Sequence, residues 1–247
     1  MTVIRVLPDP STLADAAGRA IVEAAAAQSA VDARGVFTIA LSGGSTPREL
    51  HLRLASQPLN EQIDWPHVHV FFGDERCVPP DDPQSNFRMA EETLLSRVPI
   101  PPEQIHRMRG ELPPSEAALA YEQELKDFFG SEPPRLDVIL LGMGDNGHTA
   151  SLFPGLAAVD EQQRWVVAEY VAEVCMWRIT LTPVVINLAR QVIFLVAGAG
   201  KSSMLRQVLE GPYAPHERPA QIVRPSPGEV TWLVDAAAAA ELTRPSG

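Results

Sequence analysis

The chain has 247 residues, of which 45% are hydrophobic and 21% charged, a composition typical of soluble globular proteins. Its net charge of -11 argues against nucleic acid or an anionic membrane as a partner, although one pocket can still be basic enough for a small anion. Two cysteines, no apolar segment at the start and no apolar run of about 18 residues argue against a disulfide framework, a signal peptide and a transmembrane helix. We therefore expect a cytoplasmic protein.

Short apolar runs alternate with helical segments along the chain. Residues 3–7 predict a strand, and residues 11–30 an alanine-rich helix with Ser11 as its N-cap. Further strands are predicted at 36–41, 68–72, 136–141, 166–170, 178–181, 192–197 and 230–234. Further helices are predicted from Pro47, at 86–96 and at 115–129, and the run 236–240 is helix-forming sequence.

The apolar runs are continuous rather than alternating, which is typical of strands buried on both faces. This pattern predicts a three-layer α/β/α fold with a mostly parallel sheet covered by helices on both faces. The proline-rich stretches 99–102, 113–114 and 212–227 read as loops, so residues 1–247 are expected to form a single domain. Ligands of such folds bind beyond the carboxyl ends of the strands.

The segment LSGGSTP, residues 41–47, follows the second predicted strand. Its glycines allow close approach of a ligand, and the helix that follows offers free amides to a phosphate. The candidate phosphate-binding residues here are Ser42, Gly43, Gly44, Ser45 and Thr46. The alternative is a tight strand-to-helix turn with serine caps.

The segment GDER, residues 73–76, ends the third predicted strand with three consecutive charges, including Asp74 and Arg76. Such charges are costly to bury unless they are paired, so they indicate either a binding site or a solvated loop with an internal ion pair.

The segment LLGMGDNGHTASLFPG, residues 140–155, places three glycines just before His148. A neutral histidine at a tight loop where a helix could begin is a candidate general base. The alternative is a histidine that only caps the turn. No HExxH motif or second histidine at metal spacing is present, so no metal site is predicted.

The segment VAGAGKSSML, residues 196–205, lacks the glycine that a Walker A motif requires at position 195, where leucine stands. Lys201 is left as a candidate ligand for a single phosphate, or else an ordinary exposed lysine. Arg178 lies inside a strand-like run, where it either faces solvent or binds an anion.

Taken together, LSGGSTP, GDERCVPPDDPQSNF, DVILLGMGDNGHTASLFPG, WRITLTPVVIN and GAGK resemble, in this order, the 6-phosphogluconolactonases, which share a superfamily with glucosamine-6-phosphate isomerases/deaminases. The resemblance runs from residue 3 to about residue 240. It implies a Rossmann-like fold and a carboxylic ester hydrolase that converts 6-phospho-D-glucono-1,5-lactone to 6-phosphogluconate in the oxidative pentose phosphate pathway. It also implies no metal or organic cofactor and a small-molecule substrate as the partner. We expect a monomer or a weak homo-oligomer.

The resemblance also implies roles for individual residues. His148 would activate water, with Asp74 as the second catalytic residue; Asp74 and Arg76 would line the sugar site, and residues 43–46, Arg178 and Lys201 would hold the phosphate. Many relatives carry an acidic residue immediately before the Gly-His pair, where this chain has Asn146. An asparagine cannot be a general base, so Asn146 is expected to bind substrate or orient His148. The alternatives are a glucosamine-6-phosphate deaminase/isomerase and a non-catalytic sugar-phosphate-binding protein.

Overall fold

The structure, a computed structural model, describes residues 2–29, 35–130 and 134–243. The strands in these ranges are β1 (Thr2–Leu7), β2 (Phe37–Leu41), β3 (Val68–Phe72), β4 (Asp74–Arg76), β5 (Val138–Leu141), β6 (Val166–Val171), β7 (Met176–Leu181), β8 (Gln191–Val196) and β9 (Glu229–Asp235). The α-helices are α1 (Pro10–Ser29), α2 (Ser45–Leu54), α3 (Asn86–Thr93), α4 (Pro114–Phe129), α5 (Pro183–Ile186) and α6 (Ser202–Glu210). No helix in these ranges is long and apolar enough to cross a bilayer.

Six strands form a fully parallel sheet in the order β1-β9-β8-β5-β2-β3. β2 and β5 are buried along their whole length, as their uninterrupted apolar sequences predict. The predicted parallel sheet with helices packed against it is therefore confirmed. From β2 the chain moves outward to β3, whereas from β5 it moves through β8 to β9 in the opposite direction. The direction in which successive strands are added across the sheet thus reverses between β2 and β5. Parallel sheets form their binding crevice at such a position.

A second, antiparallel sheet of three strands, in the order β4-β7-β6, lies beside the first. The strands predicted at 166–170 and 178–181 exist, but they belong to this sheet and do not extend the parallel one. Gly73 joins the two sheets: its N–H donates to Leu41 O at 2.9 Å, and its carbonyl accepts from Leu181 N at 2.9 Å. The chain thus passes directly from β3 into β4.

The N-cap of α1 differs from the one predicted from the sequence. α1 begins at Pro10 and is capped by Asp9, whose carboxylate accepts from Thr12 N at 2.7 Å, rather than by Ser11. The Ser11 hydroxyl accepts instead from Arg53 Nη2 at 2.7 Å. The last residue of the predicted helix, Ala30, lies outside the described residues.

Residues 236–240 form turns after β9 and not the helix that their alanines favour. The Asp235 carboxylate accepts from Ala238 N at 2.7 Å and from Gly198 N at 3.0 Å, which ties this turn to the loop after β8. A five-residue run is also too short to offset the cost of helix nucleation by propensity alone.

Candidate functional site

A cleft of about 360 Å³ lies at the carboxyl ends of β2, β3, β5 and β8, against the small sheet. Nine of the eleven predicted site residues line it: Ser42, Gly43, Gly44, Asp74, Arg76, Asn146, His148, Arg178 and Lys201. Ser45 and Thr46 do not. They form the first turn of α2, which begins two residues before Pro47, and Ser45 is exposed. Other residues that were not predicted from the sequence also line the cleft, among them Asn86, Asp145, Ser151, Phe153 and Glu173.

The loop after β5 turns tightly enough to bring His148 back to the end of its own strand. Gly144 N donates to His148 O at 2.8 Å, and Gly147 N donates to Gly144 O at 3.1 Å. A Cβ at position 144 would collide with the imidazole ring, so the close approach of loop and ring requires glycine there. No helix begins at His148, contrary to expectation. A turn and an isolated antiparallel bridge between Thr149 and Leu152 follow it instead.

The His148 ring lies in an apolar setting that keeps it neutral at pH 7. It stacks on Phe153, with ring centroids 4.0 Å apart and an angle of 17° between the planes. Burial lowers the pKa of His148 to about 4; Asp74 opposes this shift, whereas Lys201 and Arg178 add to it.

One hydrogen bond fixes which nitrogen of His148 carries the proton. Nδ1 lies 2.7 Å from Asn146 Oδ1, an atom that can only accept, so Nδ1 is protonated. The lone pair then resides on Nε2. The other end of the Asn146 amide donates to Glu173 Oε2 at 2.9 Å.

Asp74 is buried and held from two sides. Ser151 Oγ donates to its Oδ2 at 2.6 Å, while Asn86 Nδ2 donates to its Oδ1 at 3.1 Å and to its main-chain oxygen at 2.9 Å. Asn86 in turn packs against Gly43, where a Cβ would collide with its side chain. Asn86 and Ser151 belong to PQSNF and GHTASLFPG, which the sequence analysis singled out as motifs without assigning these two residues a role.

Glu75 shows that GDER is not a solvated loop. Its side chain is 2% exposed and sits at the start of α3, where it accepts from Ser85 Oγ at 3.0 Å, Asn86 N at 2.7 Å and Phe87 N at 2.8 Å. Burial raises the pKa of Glu75, and the amides of α3 lower it in part. A carboxylate at a helix N-terminus satisfies amides that would otherwise lack partners. This anchor holds β4, and with it Asp74 and Arg76, at the cleft.

Two arginines of the small sheet add positive charge to the cleft. Arg76 and Arg178 are direct cross-strand partners on β4 and β7, and both line the cleft. Each guanidinium has a buried Nε with no hydrogen-bond partner among the described residues. Burial lowers the pKa of Arg178, and the neighbouring Arg76 lowers it further. Like charges facing each other across strands are destabilising, so an anion between them is favoured.

Lys201 also lines the cleft, from a short 3₁₀ turn (Ala199–Lys201) that leads into α6. Its Nζ is 2.5 Å from Asp145 Oδ1. Lys201 is therefore already paired, and an anion that binds it has to compete with Asp145.

The described residues contain no group of three or more His, Cys, Asp or Glu side chains suited to holding a metal ion.

Most of the amino-acid sequence matches that of one protein family. The family model for glucosamine-6-phosphate isomerases/6-phosphogluconolactonase matches residues 8–232. The 6-phosphogluconolactonase of Nostoc sp. is 46% identical over 218 residues, which are 87% of this chain and 88% of that protein.

Solved structures extend the match to the fold. The 6-phosphogluconolactonase from Trypanosoma cruzi superposes with a TM-score of 0.85 at 31% identity, over 99% of this chain and 98% of that one. A monomeric glucosamine-6-phosphate deaminase superposes with a TM-score of 0.79 at 21% identity, over 97% of this chain and 99% of that one. At that lower identity the likeness concerns the fold alone.

Proposed function

Because the chain belongs to the glucosamine-6-phosphate isomerase/6-phosphogluconolactonase family, we propose that it hydrolyses 6-phospho-D-glucono-1,5-lactone to 6-phosphogluconate, a step of the oxidative pentose phosphate pathway. The observation that carries the proposal is a neutral histidine, His148, in the same cleft as two facing arginines and a lysine. Lactone hydrolysis needs a base for water, and a phosphorylated substrate needs cations at a distance from that base.

The cationic end of the cleft would hold the phosphate. Arg178 and Lys201 contribute charge, and the first turn of α2 contributes amides that its own helix leaves unpaired. Ser45 and Thr46 take part in this arrangement through their backbone and not as lining side chains. Arg76 and Asp74 then lie along the sugar.

With the phosphate in place, the lactone carbonyl carbon C1 lies near His148. Nε2 takes a proton from water as the water oxygen attacks C1, and the carbonyl oxygen becomes an oxyanion. Main-chain amides of the glycine-rich loops other than those of Gly144, Gly147 and His148, which already donate within their own loop, would donate to that oxyanion. Each such donor is worth about 3 kcal/mol when well placed. The C1–O5 bond then breaks, and the imidazolium returns its proton to the departing ring oxygen.

Charge in the cleft favours this proton transfer once substrate is bound. The Asp74 carboxylate raises the pKa of His148, which stabilises the imidazolium, whereas Lys201 and Arg178 lower it. A bound phosphate dianion offsets the positive charge of these two residues. Substrate binding thus raises the pKa of His148 from its low value in the free protein and makes it a better base.

The test is hydrolysis of freshly generated lactone, followed through 6-phosphogluconate dehydrogenase and corrected for spontaneous opening. We expect the wild-type protein to accelerate the reaction and His148→Ala to lose about 10²- to 10⁴-fold in kcat, the usual contribution of a general base. The matched control is His67→Ala, which removes an exposed histidine at the amino end of β3, away from the cleft.

Retention of turnover by His148→Ala would refute the role of this residue. A wild-type protein that does not accelerate lactone opening refutes the proposed activity. In that case, release of ammonia from glucosamine 6-phosphate would favour the deaminase activity, and binding without turnover would favour a sugar-phosphate-binding protein.

A further inference from the structure

Glu173 is an exposed carboxylate on the small sheet that reaches into the cleft. It lies in the 3₁₀ turn Ala172–Val174 between β6 and β7, whereas Asn146 and His148 lie on the loop after β5. We infer that Glu173 is a positioning residue: it holds the Asn146 amide in the one orientation that keeps the proton of His148 on Nδ1. This inference rests on the proposed lactonase function and deepens it.

The three side chains form a continuous chain of hydrogen bonds. Glu173 Oε2 is 2.9 Å from Asn146 Nδ2, and Asn146 Oδ1 is 2.7 Å from His148 Nδ1. A carboxylate can only accept, so the amide nitrogen has to face Glu173, and the amide oxygen is thereby turned to the imidazole. The same Oδ1 also accepts from the His148 main-chain N–H at 3.1 Å.

The amide of an asparagine at this position is oriented by Glu173 at one end and by the His148 main-chain N–H at the other, whereas an aspartate would need no such orientation. Rotation of the amide by 180° exchanges an acceptor for a donor of nearly the same size. The rotated amide would present N–H to Nδ1, which favours the tautomer with its proton on Nε2. That tautomer has no lone pair on Nε2, the nitrogen that would receive a proton from water. A carboxylate at position 146 presents oxygen in both orientations, so it would hold Nδ1–H without help.

The kinetic test uses this difference between amide and carboxylate. In Glu173→Ala we expect kcat to fall about tenfold, because only the fraction of molecules with the correct tautomer reacts. KM should stay within about twofold, since substrate binding is not what is lost. Glu173→Gln is the matched comparison: its Oε1 can still accept from Asn146 Nδ2, but its own amide can also rotate, so kcat should lie between those of wild type and Glu173→Ala.

The decisive comparison adds Asn146→Asp. In that background, Glu173→Ala should not lower kcat below that of the single Asn146→Asp variant, because an aspartate needs no orienting partner and its carboxylate is repelled by that of Glu173. An equal tenfold loss in both backgrounds would refute the inference, since it would mean that Glu173 acts on something other than the Asn146 amide.

A second measurement does not depend on turnover. Long-range ¹H–¹⁵N correlation spectra of protein with ¹⁵N-labelled histidine identify the protonated ring nitrogen at pH 7, and His148→Ala assigns the signals by their loss. We expect the Nδ1–H tautomer in wild type, a mixture of the two tautomers in Glu173→Ala, and a smaller share of Nε2–H in Glu173→Gln than in Glu173→Ala. A wild-type protein with Nε2–H refutes the positioning role even if lactone is hydrolysed. The expected tautomer pattern without lactone hydrolysis supports the positioning role and refutes the proposed function.

Discussion

Among single residues, Asp145 decides how readily the cleft accepts an anion. It is 83% exposed, and its hydrogen bond with Lys201 holds its pKa below the usual range of an aspartate. If Lys201 binds the phosphate as proposed, the phosphate has to displace this carboxylate. The pair therefore keeps Lys201 oriented in the cleft at some cost in affinity for an anion.

Asp145→Asn should lower KM and leave kcat unchanged. Exposed ion pairs are worth about 0.2–1 kcal/mol, which corresponds to a decrease in KM of about 1.4- to 5-fold. Steady-state kinetics of lactone hydrolysis measure the change, and Asp145→Glu, which keeps the charge, is the control. A higher KM in Asp145→Asn would show that the carboxylate aids phosphate binding by holding Lys201 in place.

Among the secondary-structure elements, β3 depends on side chains and a loop to complete its outer edge. It is the last strand in the order of the parallel sheet, so one side of it lacks a strand partner. His106 N donates to Val70 O at 2.8 Å, and the buried Tyr121 hydroxyl of α4 lies 2.9 Å from Phe72 N and 3.3 Å from Phe72 O. The phenol thus serves as both acceptor and donor for one strand residue next to Gly73 and the cleft.

Tyr121→Phe should destabilise the protein by about 1–3 kcal/mol, because it leaves a buried N–H and a buried carbonyl without their partner. Urea unfolding at pH 7.5 measures the change. Tyr170→Phe provides the control, since Tyr170 is 45% exposed on the small sheet. A loss below about 0.5 kcal/mol in Tyr121→Phe would mean that water or another group replaces the phenol.

The sequence predicted the strands of the parallel sheet well and the second sheet poorly, for a physical reason. Continuous apolar runs and glycine-rich strand ends are local signals of burial and of tight loops, and they indicated where the cleft lies. Charges at or inside predicted strands indicated Asp74, Arg76 and Arg178, and the family resemblance indicated Asn146. Pairing of β4 with β7 joins residues about a hundred positions apart, through a register that no local pattern encodes. The Asp74–Ser151 and Asn146–Glu173 bonds are likewise long-range contacts. The roles of the site residues and the single-domain assignment stay predictions.

In the molecule as a whole, burial of neutral histidines ties stability to pH. His51 is fully buried in α2; its Nδ1 lies 3.2 Å from Thr93 Oγ1, and its Nε2 has no partner among the described residues. Burial lowers the pKa of His51 from 6.5 to about 4. The unfolded chain therefore binds a proton that the folded protein rejects. The stabilisation is present in full above pH 6.5 and is lost progressively as the pH falls toward 4.

Between pH 7.5 and pH 5, His51 alone should reduce the free energy of unfolding by about 2 kcal/mol. Urea unfolding at the two pH values measures the loss in wild type. In His51→Leu the loss should be smaller by about that amount, whatever the stability of the variant at pH 7.5. The same substitution at the exposed His67 serves as the control. Equal losses in wild type and His51→Leu would mean that the folded protein accommodates the charged imidazole.

The position of the proton on His148 also selects the chemistry of an inhibitor. At neutral pH a ligand in the cleft meets the lone pair of Nε2, because the Nδ1 proton is committed to Asn146. A hydroxyl or an amide N–H satisfies that lone pair, whereas a carbonyl or sulfonyl oxygen would set two acceptors against each other. Elsewhere in the cleft, Arg178 and Lys201 favour an anionic group such as a phosphonate. A scaffold that carries an anion at one end and a hydrogen-bond donor at the other is complementary to this cleft, and a scaffold with acceptors at both ends is not.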